Sequence, residues 1–376
     1  MTVQGVAPSR IGRPRPRVRT SGLTVDNLAP LAAALTGSLA TTWLLFEQLL
    51  PMSGTIGFWL CWYAVFLGLY VLITATTRDW QTVKDRVATV IFTTGGIVLV
   101  TALVLVVAFT AIRGFEAVIH SNFFTETTAM TGPDDPLDKG GVYAAMIGTL
   151  EQVAISILIT VPLGFATAIY LNESRAGFAR VVRTVVDAMT AIPTIVAGLF
   201  IFAVVILTLG FERSGFAAAL ALSVEMLPVV TRTSEIVLRL VPGGLREASY
   251  AMGASQWRTL SRVILPTARA GLITAVLLGV ARVVGETSPV LLTAGFTNEL
   301  NYNATDGPQV SLPLFVFTQV RYPLDNAIAR AFGAALVLLL LVLILFTTAR
   351  IVGGRPVGQP SRRALRRLRR VREEAS

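Results

Sequence analysis

The chain has 376 residues, 53% of them hydrophobic and only 14% charged, with a mean hydropathy of +0.68 and a formal charge of +10. Against roughly a quarter charged in an ordinary soluble domain, this composition describes an integral membrane protein. One cysteine, Cys61, and one histidine, His120, exclude an internal disulfide and leave no Cys/His set for zinc or iron; the basic residues gather at the tails and in alternate loops, which is membrane topology and not nucleic-acid binding.

Residues 1–27 are rich in Arg, Pro and Gly and offer nothing to bury. Pro14 and Pro16 lie in this segment and no A-x-A-like cleavage site follows it, so it reads as a basic tail, disordered or lying on anionic lipid, and not as a removable signal peptide. The segment 351–376 reads the same way. Between the tails lie eight apolar runs, at approximately 28–50, 55–76, 88–112, 143–171, 185–209, 215–233, 270–293 and 327–349, near the roughly 20 residues that a span requires. The first is weakened by Glu47 and Gln48, and the sixth is interrupted by Glu225 and Pro228.

Arginine sets the orientation. Arg10 to Arg19 precede the first span, Arg78, Lys84 and Arg86 follow the second, and Arg175, Arg180 and Arg183 follow the fourth. Arg232, Arg239, Arg246, Arg258, Arg262 and Arg269 follow the sixth, and arginine recurs from Arg350 to Arg372. All five segments belong in the cytoplasm by the positive-inside rule. The loops 113–142 and 294–326 carry mainly Asp and Glu and belong outside. Both termini are then cytoplasmic, which requires an even number of spans, as eight is.

The cytoplasmic segment 232–269 holds the most informative sequence. Pro242-Gly243-Gly244 breaks the preceding helix. Leu245 to Met252 then alternates apolar and polar at helical spacing, with Glu247 in the first turn where the helix dipole favours an acid, and Gly253 stops it. A second amphipathic piece puts Trp257, Leu260, Val263 and Ile264 on one side and Arg258, Ser261 and Arg262 on the other, until Leu265-Pro266 turns the chain back toward the membrane. From periodicity alone this is an ordinary interfacial helix pair.

The order of residues says more. Glu247-Ala248-Ser249, three residues, Gly253, nine residues, then Val263-Ile264-Leu265-Pro266 closely resembles the "EAA" loop of binding-protein-dependent ABC importer permeases, with Ser249 in place of the second Ala and Val263 in place of Ile. In that family the loop is a coupling helix that docks in a groove of the ATPase subunit. "GTLEQVAISILITVPLGFATAIYLNE" (148–173) and "DAMTAIPTIVAGL" (187–199) look like the family's spans, and "ARVVGETSPVLLTAG" with "SLPLFVFTQ" (311–319) is similar to phosphate importer permeases of the PstA type. The resemblance covers about residues 88–350. It implies an all-α, six-span permease core preceded by two additional spans with a cytoplasmic loop (28–87), between the basic tails 1–27 and 351–376. It also implies ATPase coupling through Glu247, Ala248, Ser249, Gly253, Leu265 and Pro266, in a bacterial cytoplasmic membrane. The implied partners are an ATPase dimer, a homologous second permease subunit and an extracytoplasmic phosphate-binding protein, besides membrane lipid.

A P-loop needs G-x-x-x-x-G-K-[ST], and neither lysine, Lys84 or Lys139, follows such a loop. ATP and its Mg are therefore expected on the partner chain, with no cofactor here, and the chain is expected to be a transport subunit and not an enzyme.

Arg282 and Glu286 stand within the seventh apolar run. A charge at bilayer centre costs roughly 2.5–3.5 kcal/mol on insertion scales and marks a functional site by default. Spaced by four on a helix, the two share one face. They are either a structural pair, with Ala281 and Gly285 allowing close approach, or a substrate site in which Arg282 presents its fork to phosphate oxygens, Glu286 moderates the grip, and Thr287 and Ser288 add hydroxyls. Pro289 would leave a carbonyl free near the pathway. Glu225 is ambiguous between a pathway carboxylate and an interfacial group, Glu151 is expected to be merely wet at the outer end of its span, Asp187 to sit near Arg183 at the cytoplasmic end as an i,i+4 pair or a helix-terminal charge, and His120 to be a plain loop residue. The same architecture serves other oxyanions such as sulfate or molybdate. A stand-alone secondary transporter would show ten or more spans or an inverted repeat, and none is apparent.

Overall fold

The structure, a computed structural model, describes residues 25–49, 54–174 and 177–353. The expected state of the two basic tails and the placement of Arg175 fall on or largely on residues outside these ranges. Every regular element among the described residues is helical. Seven helices are long and apolar enough to cross a membrane, and a bent pair makes an eighth span if counted as one.

The chain divides into two units at Leu105 and Val106. In the first, α1 (Val25–Leu44, with a π turn to Leu49) packs on α2 (Thr55–Ala75). Ala34, Phe66 and Tyr70 are their buried centre, and a ladder of rings from Phe58 through Trp59, Trp62 and Phe66 to Tyr70 runs along α2. The helix α3 (Trp80–Val118) begins here and ends in the second unit. Its 39 residues extend about 58 Å at 1.5 Å per residue, well beyond the ~30 Å of hydrocarbon. The expected span 88–112 is thus the middle of a longer rod.

In the second unit, α4 (Asn122–Thr125) leads to α5 (Tyr143–Glu173), and α8 (Gly215–Arg239) forms the centre. Gly215, Ala217, Ala218, Ala219 and Ala221 are all buried on α8, and such small side chains let neighbouring backbones approach closely. α5 and α11 (Leu265–Val283) pack against it. α14 (Asp325–Gly353) closes the bundle and packs on α11.

Three expectations about continuity are corrected. The fifth run, 185–209, is not one straight span: α6 (Gly177–Thr190) meets α7 (Thr194–Ile201, extended by a π segment Phe202–Thr208) at a bend of 107°. Pro193 has no N–H and steers Ile192 away from helical geometry, so the helix stops and restarts. The seventh run, 270–293, is also broken. α11 ends at Val283, and α12 (Ser288–Thr293) begins after a short non-helical stretch. Finally, Leu265-Pro266 does not turn the chain. α10 (Gln256–Thr259) runs through a π segment, Leu260–Ile264, straight into α11. The Leu265 N–H reaches the Leu260 carbonyl, five residues back. This wider turn relieves the clash that a proline ring makes with the carbonyl four residues earlier.

Candidate functional site

The cytoplasmic knuckle is built as the spacing predicts in its first half. α9 (Gly243–Ala251) follows Pro242, and Gly253 ends it with φ +77°, a left-handed conformation that costs other residues roughly 1–2 kcal/mol. Space around Gly253 is open, so its role lies in the backbone turn. Ser249 shares a hydrogen bond of 2.8 Å with Thr259, which ties α9 to α10. Leu260 and Ile264 are buried with Leu238, Ala168, Ala268 and Leu272, and Arg246 pairs with Glu173 of α5 at 2.8 Å. Trp257 does not join Leu260 and Ile264 in that core. It is 73% exposed, beside Met252 at 88%, with Leu245 and Tyr250 also exposed. Glu247 and Ala248 face outward too. Exposed apolar side chains rimmed by charge mark a contact surface, and periodicity alone does not separate the exposed Trp257 from the buried Leu260 and Ile264.

The break after α11 rearranges the predicted pathway residues. Arg282 lies in the last turn of α11 and Glu286 in the non-helical stretch, where its N–H reaches the Val283 carbonyl at 3.1 Å. The two do not lie on one helical face, and Arg282 joins none of the ion pairs among the described residues. The expectation of a helical i,i+4 pair is therefore corrected. Pro289 is likewise not a mid-helix interruption. It sits in the first turn of α12, where a missing N–H costs no intrahelical bond. It packs on α7, where a Cβ at Gly198 would lie 2.6 Å from the Pro289 Cα. Thr287 is half-buried just before α12 and Ser288 is exposed at its start.

Sequence reasoning left Glu225 undecided. It is buried on α8, lines one cavity with Arg282, and has the Glu286 carboxylate and the Arg282 guanidinium as its charged neighbours. Thus α8, α11 and the break bring two carboxylates and a guanidinium together, with Glu225 buried, Glu286 half-buried and Arg282 exposed.

Toward the C-terminal end of α8, Glu235 accepts from Arg183 (2.9 Å), Arg232 (2.8 Å) and Arg239 (2.6 Å). Asp187 pairs with Arg232 and not with Arg183, as i,i+4 spacing had suggested. The tertiary neighbour 45 residues away competes better than the local one. At the opposite end, the chain re-enters the bundle through α13 (Leu312–Gln319). The Gln309 amide donates to Glu151 at 2.5 Å and to the Asn301 carbonyl at 3.1 Å, and Leu312 N–H donates to the Thr149 hydroxyl at 2.7 Å. Glu151 is held by this contact and is more than merely wet. A Cβ on Gly148 would overlap the Val310 carbonyl, so only glycine lets α5 approach this strand of chain. Arg330 of α14 is buried and donates to five backbone carbonyls between Gly132 and Lys139, the closest those of Asp135 (2.7 Å) and Pro136 (2.9 Å). His120 bonds only within its own turn, to the Glu116 carbonyl.

A small-residue helical core, long apolar helices, a bent pair and an exposed knuckle are the build of a multi-pass membrane protein. Comparison with known proteins places it further. Residues 160–356 match the model of the binding-protein-dependent transport system inner membrane component, and the chain belongs to that family. It is 43% identical over 261 residues to the "Phosphate transport system permease protein PstA" of Mycobacterium leprae, covering 69% of this chain and 85% of that one. The protein of the same name from Pasteurella multocida is 37% identical over 218 residues, covering 57% and 77%. Among solved structures, a bacterial ABC transporter involved in the import of the acidic polysaccharide alginate aligns with a TM-score of 0.49 and 15% identity, over 73% of this chain and 98% of that one. As a permease of this family the chain transports and is not an enzyme, and it works with an ATPase and a substrate-binding protein.

Proposed function

We propose that the chain is a permease subunit of an ATP-driven phosphate importer and forms half of the translocation pathway. The observation that carries this reading is the 43% identity to a phosphate permease across 85% of that protein's length. In this reading the chain lies in a bacterial cytoplasmic membrane with both termini inside. Six spans from about residue 88 to 350 form the transport core, and the two spans before them are an addition to it. A homologous second permease completes the pathway. Two ATPase copies bind ATP and Mg below, this chain holding no cofactor, and a phosphate-binding protein docks outside.

The coupling surface is the α9–α10 knuckle. Its exposed Leu245, Tyr250, Met252 and Trp257 supply apolar contact area, and Glu247, Ala248, Ser249 and Gly253 fix its shape. The helix that carries Leu265 and Pro266 leads from this surface to Arg282 without a break until Val283, so displacement of the knuckle by the ATPase is delivered to the cluster of Glu225, Arg282 and Glu286. There Arg282 contacts the anion, with Glu286, Thr287 and Ser288 alongside.

The test is reconstitution in proteoliposomes with the second permease, the ATPase and the phosphate-binding protein. ATP-dependent uptake of labelled phosphate is expected, with none from this chain alone. Phosphate flux through the isolated chain, or uptake of sulfate or molybdate in place of phosphate by the full assembly, would overturn the reading.

A further inference from the structure

Between the bend that joins α6 to α7, the middle of α8 and the end of α11 lies a cavity of about 210 Å³, whose lining includes Thr190, Ile192, Glu225, Pro228 and Arg282. At roughly 30 Å³ per liquid water it has the volume of about seven waters, enough for a tetrahedral anion and part of its hydration. Glu225 is only 7% exposed, and neither of its carboxyl oxygens has a hydrogen-bond partner. An ionised carboxylate accepts hydrogen bonds and donates none, and leaving a buried polar group unpaired is costly. The Thr190 hydroxyl is not the missing donor, since it donates to the Asp187 carbonyl at 2.6 Å. Glu286 and Arg282 are its charged neighbours, and Arg282 is the one cation among the residues that line the cavity.

The cavity is therefore lined by a donor fork, Arg282, and by an acceptor that lacks a donor, Glu225. A bare oxyanion satisfies the first and is repelled by the second. An oxyanion that still carries an acid hydroxyl satisfies both. We propose that this cavity is a phosphate subsite of the pathway and that Glu225 selects protonated phosphate by accepting a hydrogen bond from its P–OH while Arg282 holds the unprotonated oxygens. This inference rests on the phosphate importer reading. The monoanion carries two P–OH groups, so it offers Glu225 a donor, and its single charge is the one that the Arg282 guanidinium neutralises. Sulfate has the same shape and no hydroxyl at neutral pH, so it would set a bare oxygen against Glu225. Sites built to bond a substrate hydroxyl reject the analogue that lacks it by about 10⁴-fold or more when closed. The half-open cavity is expected to reach about 10³-fold.

The experiment uses the complete permease and ATPase assembly in lipid nanodiscs without the binding protein, and measures equilibrium binding of radiolabelled phosphate and sulfate near neutral pH. Wild type is expected to prefer phosphate by about 10³-fold. Glu225→Gln, whose amide both donates and accepts, should bring the ratio to within about tenfold, while Glu225→Asp, still an acceptor, should keep it above about a hundredfold. Competition by monofluorophosphate, a phosphate whose hydroxyl is replaced by fluorine, needs no variant and covers the case in which Glu225→Gln fails to assemble. It should displace phosphate no better than sulfate does. Wild-type binding of monofluorophosphate as tight as that of phosphate, an undiminished ratio in Glu225→Gln, or no phosphate binding at all in an assembly that imports phosphate would overturn the role of Glu225. Failure of the same assembly, supplied with binding protein and ATP, to import phosphate would overturn the importer reading and the subsite with it.

Discussion

Replacing Glu235 by Ala tests how the cytoplasmic end of the bent span is held. Glu235 is 2% exposed and accepts from three arginines, each about a third to a half exposed. Hydrogen bonds to charged groups contribute about 1.5–3 kcal/mol each when buried, but Arg232 and Arg239 are on the same helix at i−3 and i+4, and exposed pairs of that kind contribute only about 0.3–0.5 kcal/mol. Both can rehydrate where they stand. Arg183 is on α6, and its bond to Glu235 is the one that joins two elements, so it dominates. The summed loss on removing the carboxylate is about 2–4 kcal/mol, including some repulsion among guanidiniums left facing one another. Released as local opening of α6, this raises amide exchange by about 30-fold to nearly a thousandfold, at 1.36 kcal/mol per decade. Hydrogen–deuterium exchange of the assembled permease should show that loss of protection within residues 177–190, with the amides in the middle of α5 unchanged. A double-mutant cycle of Glu235→Ala with Arg183→Ala should return a coupling of about 1.5–3 kcal/mol. Exchange in α6 that stays within threefold of wild type, or a cycle that closes to zero, would refute the assignment.

Gly253→Ala should leave membrane insertion intact and weaken ATPase association, at a cost of about 1–2 kcal/mol for the left-handed turn, measurable as reduced co-purification; Glu247→Arg should do the same by placing a cation in the first turn of α9. Gly198→Val should displace α12 from α7 at about 1–3 kcal/mol of overpacking, read as lowered thermal stability together with lost uptake. Arg330→Met removes the donors to the Gly132–Lys139 carbonyls, and limited proteolysis should then cut within that loop faster than in wild type. Arg282→Lys keeps the charge but loses the bidentate fork; uptake should fall while assembly persists, and normal uptake would exclude Arg282 from contact with the anion.

The eight apolar runs and the EAA spacing are written in local composition, and each run finds helical structure, because both length and hydropathy are properties of contiguous residues. The breaks are less visible. Ile192-Pro193 carries the usual proline signal, yet lies inside a run whose hydropathy never falters. Arg282 and Glu286 have helical spacing, and Gly285 between them reads in the sequence as room for a close approach and not as the end of the helix, although it stands just past the C-cap Val284. Pro266 gives the reverse error: the sequence reads as a stop, and a widened turn over Leu260–Ile264 lets the helix continue. The pairs Asp187–Arg232 and Arg183–Glu235 are set by packing between helices, 45 residues apart for Asp187 and Arg232, which no single-segment pattern contains. Glu225 was detectable as a carboxylate in an apolar run. Its relation to Arg282 was not.

The widened turn ahead of Pro266 also has a mechanical meaning. Because it preserves continuity, the exposed Trp257 of the knuckle and Arg282 ride on one rod of 28 residues, Gln256–Val283, about 42 Å long at 1.5 Å per residue. A rigid rod does not attenuate rotation. A tilt of about 10° about its midpoint carries each end roughly 3.6 Å in opposite directions, comparable to the length of a hydrogen bond plus a little slack. If the proposed docking and anion contact hold, the stroke imposed at the knuckle is of the same size as the displacement that makes or breaks a guanidinium's hold on an anion, a gearing close to one to one.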